Sequence, residues 1–129
     1  MKEIQVPISP GELLDKITIL RIKAARMEDP AKVANVRIEL DWLERVWRES
    51  GADIPAVRDD ERELQRVNAM LWEVEDQIRD QERAHKFDAR FIELARTIYV
   101  TNDLRAAAKR RINMTLGSTI VEEKSYKAY

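Results

Sequence analysis

The strongest constraint on this chain is where its helix breakers stand. Its three glycines and four prolines fall at positions 7, 10, 11, 30, 51, 55 and 117, so the stretch from Ala56 to Leu116 contains neither residue. Gly and Pro carry the largest penalties inside a helix, and a chain punctuated this sparsely has room for long uninterrupted ones. Between the breakers, apolar side chains recur every three or four residues, the spacing that lines one face of an α-helix.

The clearest start is at Ser9, where Ser9 as N-cap, Pro10 at the first helical position and Glu12 at the third predict a capping box. From there the first helix is expected to run to about Glu28, with Leu13, Ile17, Leu20, Ala24 and Met27 as its stripe, widened by Leu14 and Ile22. Asp29-Pro30 ends it. A second helix follows from about Ala31 to Glu49 on Val33, Val36, Leu40, Leu43 and Trp47, and Ser50-Gly51 stops it. A third is expected from about Asp59 to Arg83 on Leu64, Val67, Leu71, Val74 and Ile78, with carboxylates in its first turn suited to the positive end of the helix dipole. Beyond a break around His85-Lys86, Asp88 caps a helical region carrying Phe91, Leu94, Ala95 and Ile98. The spacing fits either one helix reaching Gly117 or two divided at Thr101-Asn102-Asp103.

The opening KEIQVPI reads as an extended arm or edge strand, and the tail from Ser118 as an extended segment that packs back on that arm or moves freely. The expected fold is therefore all-α: an antiparallel bundle of four or five helices with short extended ends, forming one domain over residues 1–129. Hydrophobic residues make up 44% and charged residues 36%, which suits amphipathic helices with wide wet faces around one core.

Charge and rare residues narrow the function classes. A formal charge of -1 removes any whole-chain field that would gather nucleic acid. The absence of cysteine excludes disulfides and thiolate chemistry, and a single histidine, His85, argues against a histidine-based metal site. The N-terminus has no apolar core of a signal peptide, and no uncharged apolar run approaches the roughly 20 residues needed to cross a bilayer. A cytoplasmic location without membrane insertion is expected, and no cofactor.

Two polar strips stand out. Asn68, Trp72, Glu75, Asp76 and Arg79 follow one another at helical spacings beside the apolar row of the third helix, and Asn102, Arg105, Lys109 and Asn113 do the same further on, flanked by Asp103 and Arg110. Residues 58–83 carry nine acids and five bases, whereas residues 89–111 carry six bases and two acids, so opposite charge favours their adjacency. An Asp76-centred network could then be a set of interhelical ion pairs or a ligand site. Whether the chain is an enzyme is left open by its sequence.

Three readings follow. Surplus apolar helix surface without a catalytic signature points first to an accessory or protein-interaction domain, acting as a homodimer or with a protein partner. The alternative is a Mg²⁺-dependent phosphoester or nucleotide pyrophosphate hydrolase, with Asp15, Glu75 and Asp76 as metal ligands, those residues and Arg79 as catalytic candidates, and a phosphate-containing substrate held by basic side chains. Its ligand-binding candidates are Asn68, Trp72, Arg96, Asn102, Asp103, Arg105, Lys109 and Arg110. A nucleic-acid module using Arg90, Arg96, Arg105, Lys109, Arg110 and Arg111 is the weakest of the three, because no reading motif accompanies the basic residues.

The segments Ser9-Pro-Gly-Glu-Leu-Leu-Asp-Lys-Ile-Thr-Ile-Leu20, Lys32-Val-Ala-Asn-Val-Arg37, Leu71-Trp-Glu-Val-Glu-Asp76, Leu94-Ala-Arg96, Thr101-Asn-Asp103, Lys109-Arg110 and Glu122-Glu-Lys-Ser-Tyr126 resemble the motifs of a family of small uncharacterised bacterial proteins. The resemblance spans nearly the whole chain and brings no activity with it. It directs attention to Asp15, Lys16, Asn35, Asn68, Trp72, Glu75, Asp76, Arg79, Arg96, Asn102, Asp103 and Lys109.

Overall fold

A computed structural model describes residues 1–129 as four helices: α1 (Pro10–Arg26), α2 (Pro30–Glu49), α3 (Arg58–Arg83) and α4 (Ala89–Thr115), with one 3₁₀ turn at Pro55–Val57. The fold is an all-α antiparallel bundle, as the spacing predicts. The N-terminal segment forms no strand, because the bundle presents no sheet edge to pair with.

Local chemistry sets each boundary. Ser9 caps α1 by accepting from the backbone N–H of Glu12, and Asp29 and Asp88 do the same for α2 and α4, accepting from Ala31 and Lys32 and from Arg90 and Phe91. Pro30 belongs to the second helix as its first residue, where a missing N–H costs nothing. Helix α1 stops at Arg26, two residues short of the expected end, since the extended backbone needed for the Asp29 cap begins at Met27. The last long helix is continuous. Thr101, rather than capping a new helix, is buried with its hydroxyl against the Met70 sulfur at 3.6 Å, so the tertiary environment holds the run in register.

Helices α3 and α4 end in the same motif. In each, a left-handed residue follows the cap and two backbone N–H groups return to the last turn: His85 to Glu82 and Lys86 to Gln81, and Gly117 to Met114 and Ser118 to Asn113. Glycine occupies this position at no steric cost, whereas His85, with φ of 54°, occupies it at a cost of about 1 kcal/mol.

The core joins Leu13, Leu14, Ile17 and Leu20 of α1 to Leu64 of α3, Ala108 and Ile112 of α4, Val57, and Leu40 and Trp47 of α2. Helices α1, α3 and α4 all pack on one another. The backbone of α2 comes close to α1 but to neither α3 nor α4, and it reaches the common core through Leu40 and Trp47. Its expected apolar row is accordingly incomplete: Leu40 and Trp47 are buried, while Val33, Val36 and Leu43 are half-buried. No helix is long and apolar enough to cross a membrane.

Candidate functional site

The polar centre lies where α1, α3 and α4 meet, and it is organised by Asp15. This carboxylate is 1% exposed, and Arg105 of α4 clamps both of its oxygens, with Nε donating to Oδ1 at 2.8 Å and Nη2 to Oδ2. Asn68 of α3 donates to Oδ1 at 2.9 Å and through the same Nδ2 to the Thr18 hydroxyl, which itself donates to the Asp15 carbonyl. A bidentate guanidinium and an amide thus satisfy a charge that could not remain buried alone. Hydrogen bonding to Asp15 raises the Arg105 pKa above its ordinary value against the effect of burial, so the clamp stays charged.

One helical turn away, Lys109 is nearly buried. Its Nζ lies 2.6 Å from Glu12, 2.9 Å from Glu122 and 3.9 Å from Asp15. Burial works against the ammonium and is outweighed by its hydrogen bonds to the two glutamates, so its pKa rises. Those glutamates also interact with each other, and their contact lowers the Glu12 pKa while raising that of Glu122. Only half of the expected capping box forms, because the Glu12 carboxylate turns to Lys109 instead of back to the Ser9 N–H. Beside it Gly11 donates to Asn113 Oδ1 at 2.7 Å, and a Cβ on Gly11 would stand 2.5 Å from the Lys109 carbonyl oxygen. The start of α1 therefore rests directly on the backbone of α4.

Next to the Asp15 clamp a cleft of about 410 Å³ opens between α1, α3 and α4. Ile19, Ile22 and Leu71 form its apolar wall, and Asn68, Trp72, Glu75, Asp76, Arg79, Asn102 and Arg105 its polar lining. The first strip picked out by helical spacing thus meets Asn102 and Arg105 of the second in one cavity, while Lys109 and Asn113 lie outside it. Arg79 pairs with Glu75 at 3.2 Å. The Asp76 side chain makes no ion pair and no hydrogen bond within the chain, so the polar network is centred on Asp15 and not on Asp76 as expected. Asp15, Glu75 and Asp76 do not gather around a common point, and no three His, Asp or Glu side chains form a group that could hold a metal ion.

The remaining candidates lie elsewhere. Arg96 is exposed and outside the cleft. Asp103 accepts from Lys124 and from the Tyr129 hydroxyl, and Arg110 meets Glu123 at 3.4 Å, so both are occupied by the tail. The tail therefore docks along α4, completed by an edge-on contact of Tyr129 with Tyr99 at 5.1 Å between ring centres. The tail, expected to pack back on the N-terminal arm or to move freely, instead makes its contacts with α4, and Glu122, although part of the motif ending at Tyr126, was not among the expected site residues. The signal was present in complementary charge: Glu122, Glu123 and Lys124 answer Lys109, Arg110 and Asp103 in sign.

A second exposed feature is the outer face of α2. Ile38, Trp42 and Val46, spaced by four residues, are 67%, 44% and 40% exposed.

Residues 4–129 match the family of unknown function DUF6165. The chain belongs to that family. No curated protein and no solved structure matches it. The DUF6165 match takes in the Asp15 clamp, the cleft, the outer face of α2 and the docked tail alike, so all four features lie within the family's own span.

Proposed function

We propose that this DUF6165 protein is a helical interaction module that self-associates through the outer face of α2. The observation that carries the reading is the unburied stripe of Ile38, Trp42 and Val46 on a helix whose backbone lies close to α1 alone. Three large apolar side chains in one row on a helix are the usual mark of a surface covered in the assembly. The charges around the stripe support a second copy as the occupant. An antiparallel pair of α2 helices, related by a two-fold axis at Trp42, sets Ile38 opposite Val46 and Glu39 opposite Arg45, a self-complementary pattern. Glu39 and Arg45 are exposed and take part in none of the chain's own ion pairs, whereas α3 is laced with such pairs along its length. We place this assembly in the cytoplasm, in keeping with a composition free of cysteine.

Sedimentation velocity over a concentration series tests the reading. The wild-type chain is expected to approach twice the monomer mass, and Trp42→Glu to remain monomeric with unchanged helicity. Glu39→Arg should weaken the dimer, and adding Arg45→Glu to it should restore it. A monomer mass at every concentration, or a dimer indifferent to all of these changes, would end the proposal.

A further inference from the structure

We propose that the cleft between α1, α3 and α4 is a binding site for a small organic monocation, a primary amine or guanidine on an apolar body. The inference begins with Asn68, which is 5% exposed. Its Nδ2 is committed to Asp15 and Thr18, and because a carboxylate only accepts, the amide cannot be turned the other way. Its Oδ1 accepts nothing within the chain. Asn113 Nδ2 is likewise unpartnered but sealed from solvent; Asn68 Oδ1 is not sealed, and its side chain lines the cleft. The cleft floor therefore presents a fixed hydrogen-bond acceptor without a donor.

Charge around the cleft asks for the same kind of ligand. Arg105 is taken up by Asp15 and Arg79 by Glu75, which leaves Asp76 as the one lining carboxylate with no cation. A multiply charged phosphate would meet an excess of carboxylate there, and the two guanidinium groups that might hold it are already engaged. A cation bearing N–H donors would complete both Asp76 and Asn68. Trp72 stands one turn from each of them on α3, at spacings of four residues, and offers an indole face of the sort that attracts ammonium and guanidinium groups. Ile19, Ile22 and Leu71 supply an apolar wall for the remainder of the molecule, and about 410 Å³ lies within the range of small-molecule sites.

Titration calorimetry on the full chain, with phenethylammonium as probe and inorganic phosphate as comparator, tests this. Phenethylammonium should bind at millimolar concentration or tighter, and phosphate should not bind or compete. Asp76→Asn should weaken the amine roughly ten-fold, with thermal stability little changed because the exposed Asp76 side chain makes no hydrogen bond or ion pair in the chain. Trp72→Leu should weaken it as well, and the Trp42→Glu chain should bind it normally, which separates this site from the self-association face. No binding of the amine, preferential binding of phosphate, or full affinity in Asp76→Asn would overturn the proposal.

Discussion

Helices α1 and α2 are neighbours of similar length joined by a short turn, yet they sit in the molecule in opposite ways. Eight of the seventeen residues of α1 are buried, against two of twenty in α2. Each begins with a capping side chain followed by proline, and each carries an apolar stripe, so helix formation does not separate them. Polar reach does. Helix α1 sends Glu12, Asp15 and Thr18 into α4, α3 and the tail, and is held on several sides by groups that cannot be left unpaired. Helix α2 has one cross-helix ion pair of this kind, Glu44 with Arg21 at 3.0 Å. Apolar patterning makes a helix, and buried polar partners decide how many neighbours it must have.

The sharpest way to break this comparison uses two tryptophans of α2 itself. Trp47 is 3% exposed in the core and Trp42 is 44% exposed on the outer face, five residues apart. Trp47→Ala should destabilise the protein by about 4 kcal/mol through lost burial and the cavity left behind. Trp42→Ala should change the monomer's stability by no more than about 0.5 kcal/mol. Urea denaturation at a concentration that keeps the chain monomeric reads both. Equal losses would mean that α2 has no free face.

Second in size is the Asp15 clamp. Asp15→Ala leaves Asn68 and Arg105 facing a vacated buried site, and removing one partner of a buried pair costs about 3 kcal/mol. Partial exposure of Arg105 keeps the effect at the lower end of the usual range. A loss under about 1 kcal/mol in the same denaturation experiment would show that the clamp does not anchor α1. Third is Gly11→Ala, whose methyl group would press on the Lys109 carbonyl and on Asn113. Alanine is the better helix former, so intrinsic propensity predicts a gain. The contact predicts a loss of about 2 kcal/mol, because backbone has to move. The direction of the change in melting temperature decides between them.

Most of the architecture was legible in the sequence because it rests on local signals. The caps at Ser9 and Asp88 and the stripes of α1 and α3 need only a few neighbouring residues to be read, whereas Asp29, read as the end of the first helix, proves to cap the second. The two polar strips were legible for the same reason, since helical spacing alone puts Asn68, Trp72, Glu75, Asp76 and Arg79 together, and Asn102 and Arg105. What spacing cannot give is which strip residue faces a third helix. Asp15 lies 53 residues from Asn68 and 90 from Arg105, so the true centre of the network depends on how α1 is rotated against both, a property of the packed bundle. Glu12 shows the same limit in miniature. Its sequence position fits a local cap, and a buried lysine 97 residues away in the chain offers its carboxylate a stronger partner. The tail was expected to pack on the N-terminal arm or to move freely, and its docking on α4 was not legible because its ion pairs there are with charged side chains of α4 and not with an apolar row.

That tail is where the smallest effect should be found, as a shift in docking and not as a loss of global stability. Asp103 is held below its ordinary value of 3.8 by the hydrogen bond from Lys124 and then by that from Tyr129. A carboxylate whose pKa is lower in the docked state favours docking above its ordinary value, and that contribution disappears as pH falls through the lowered value. Tyr129 behaves in the opposite sense. Its hydroxyl pKa is raised above 10.0 by Asp103, so its contribution is present while the phenol is neutral and is lost as pH climbs through the raised value. Docking is thus expected across the neutral range and should loosen at both extremes. The amide signals of residues 122–129, followed by NMR during acid and base titration, would report it. Asp103→Asn should remove most of the acid-side step attributable to this contact, because the substituted amide does not titrate. If the tail signals are those of a free chain at neutral pH, or if Asp103→Asn leaves both steps unaltered, Asp103 is not the group that ties the tail to α4.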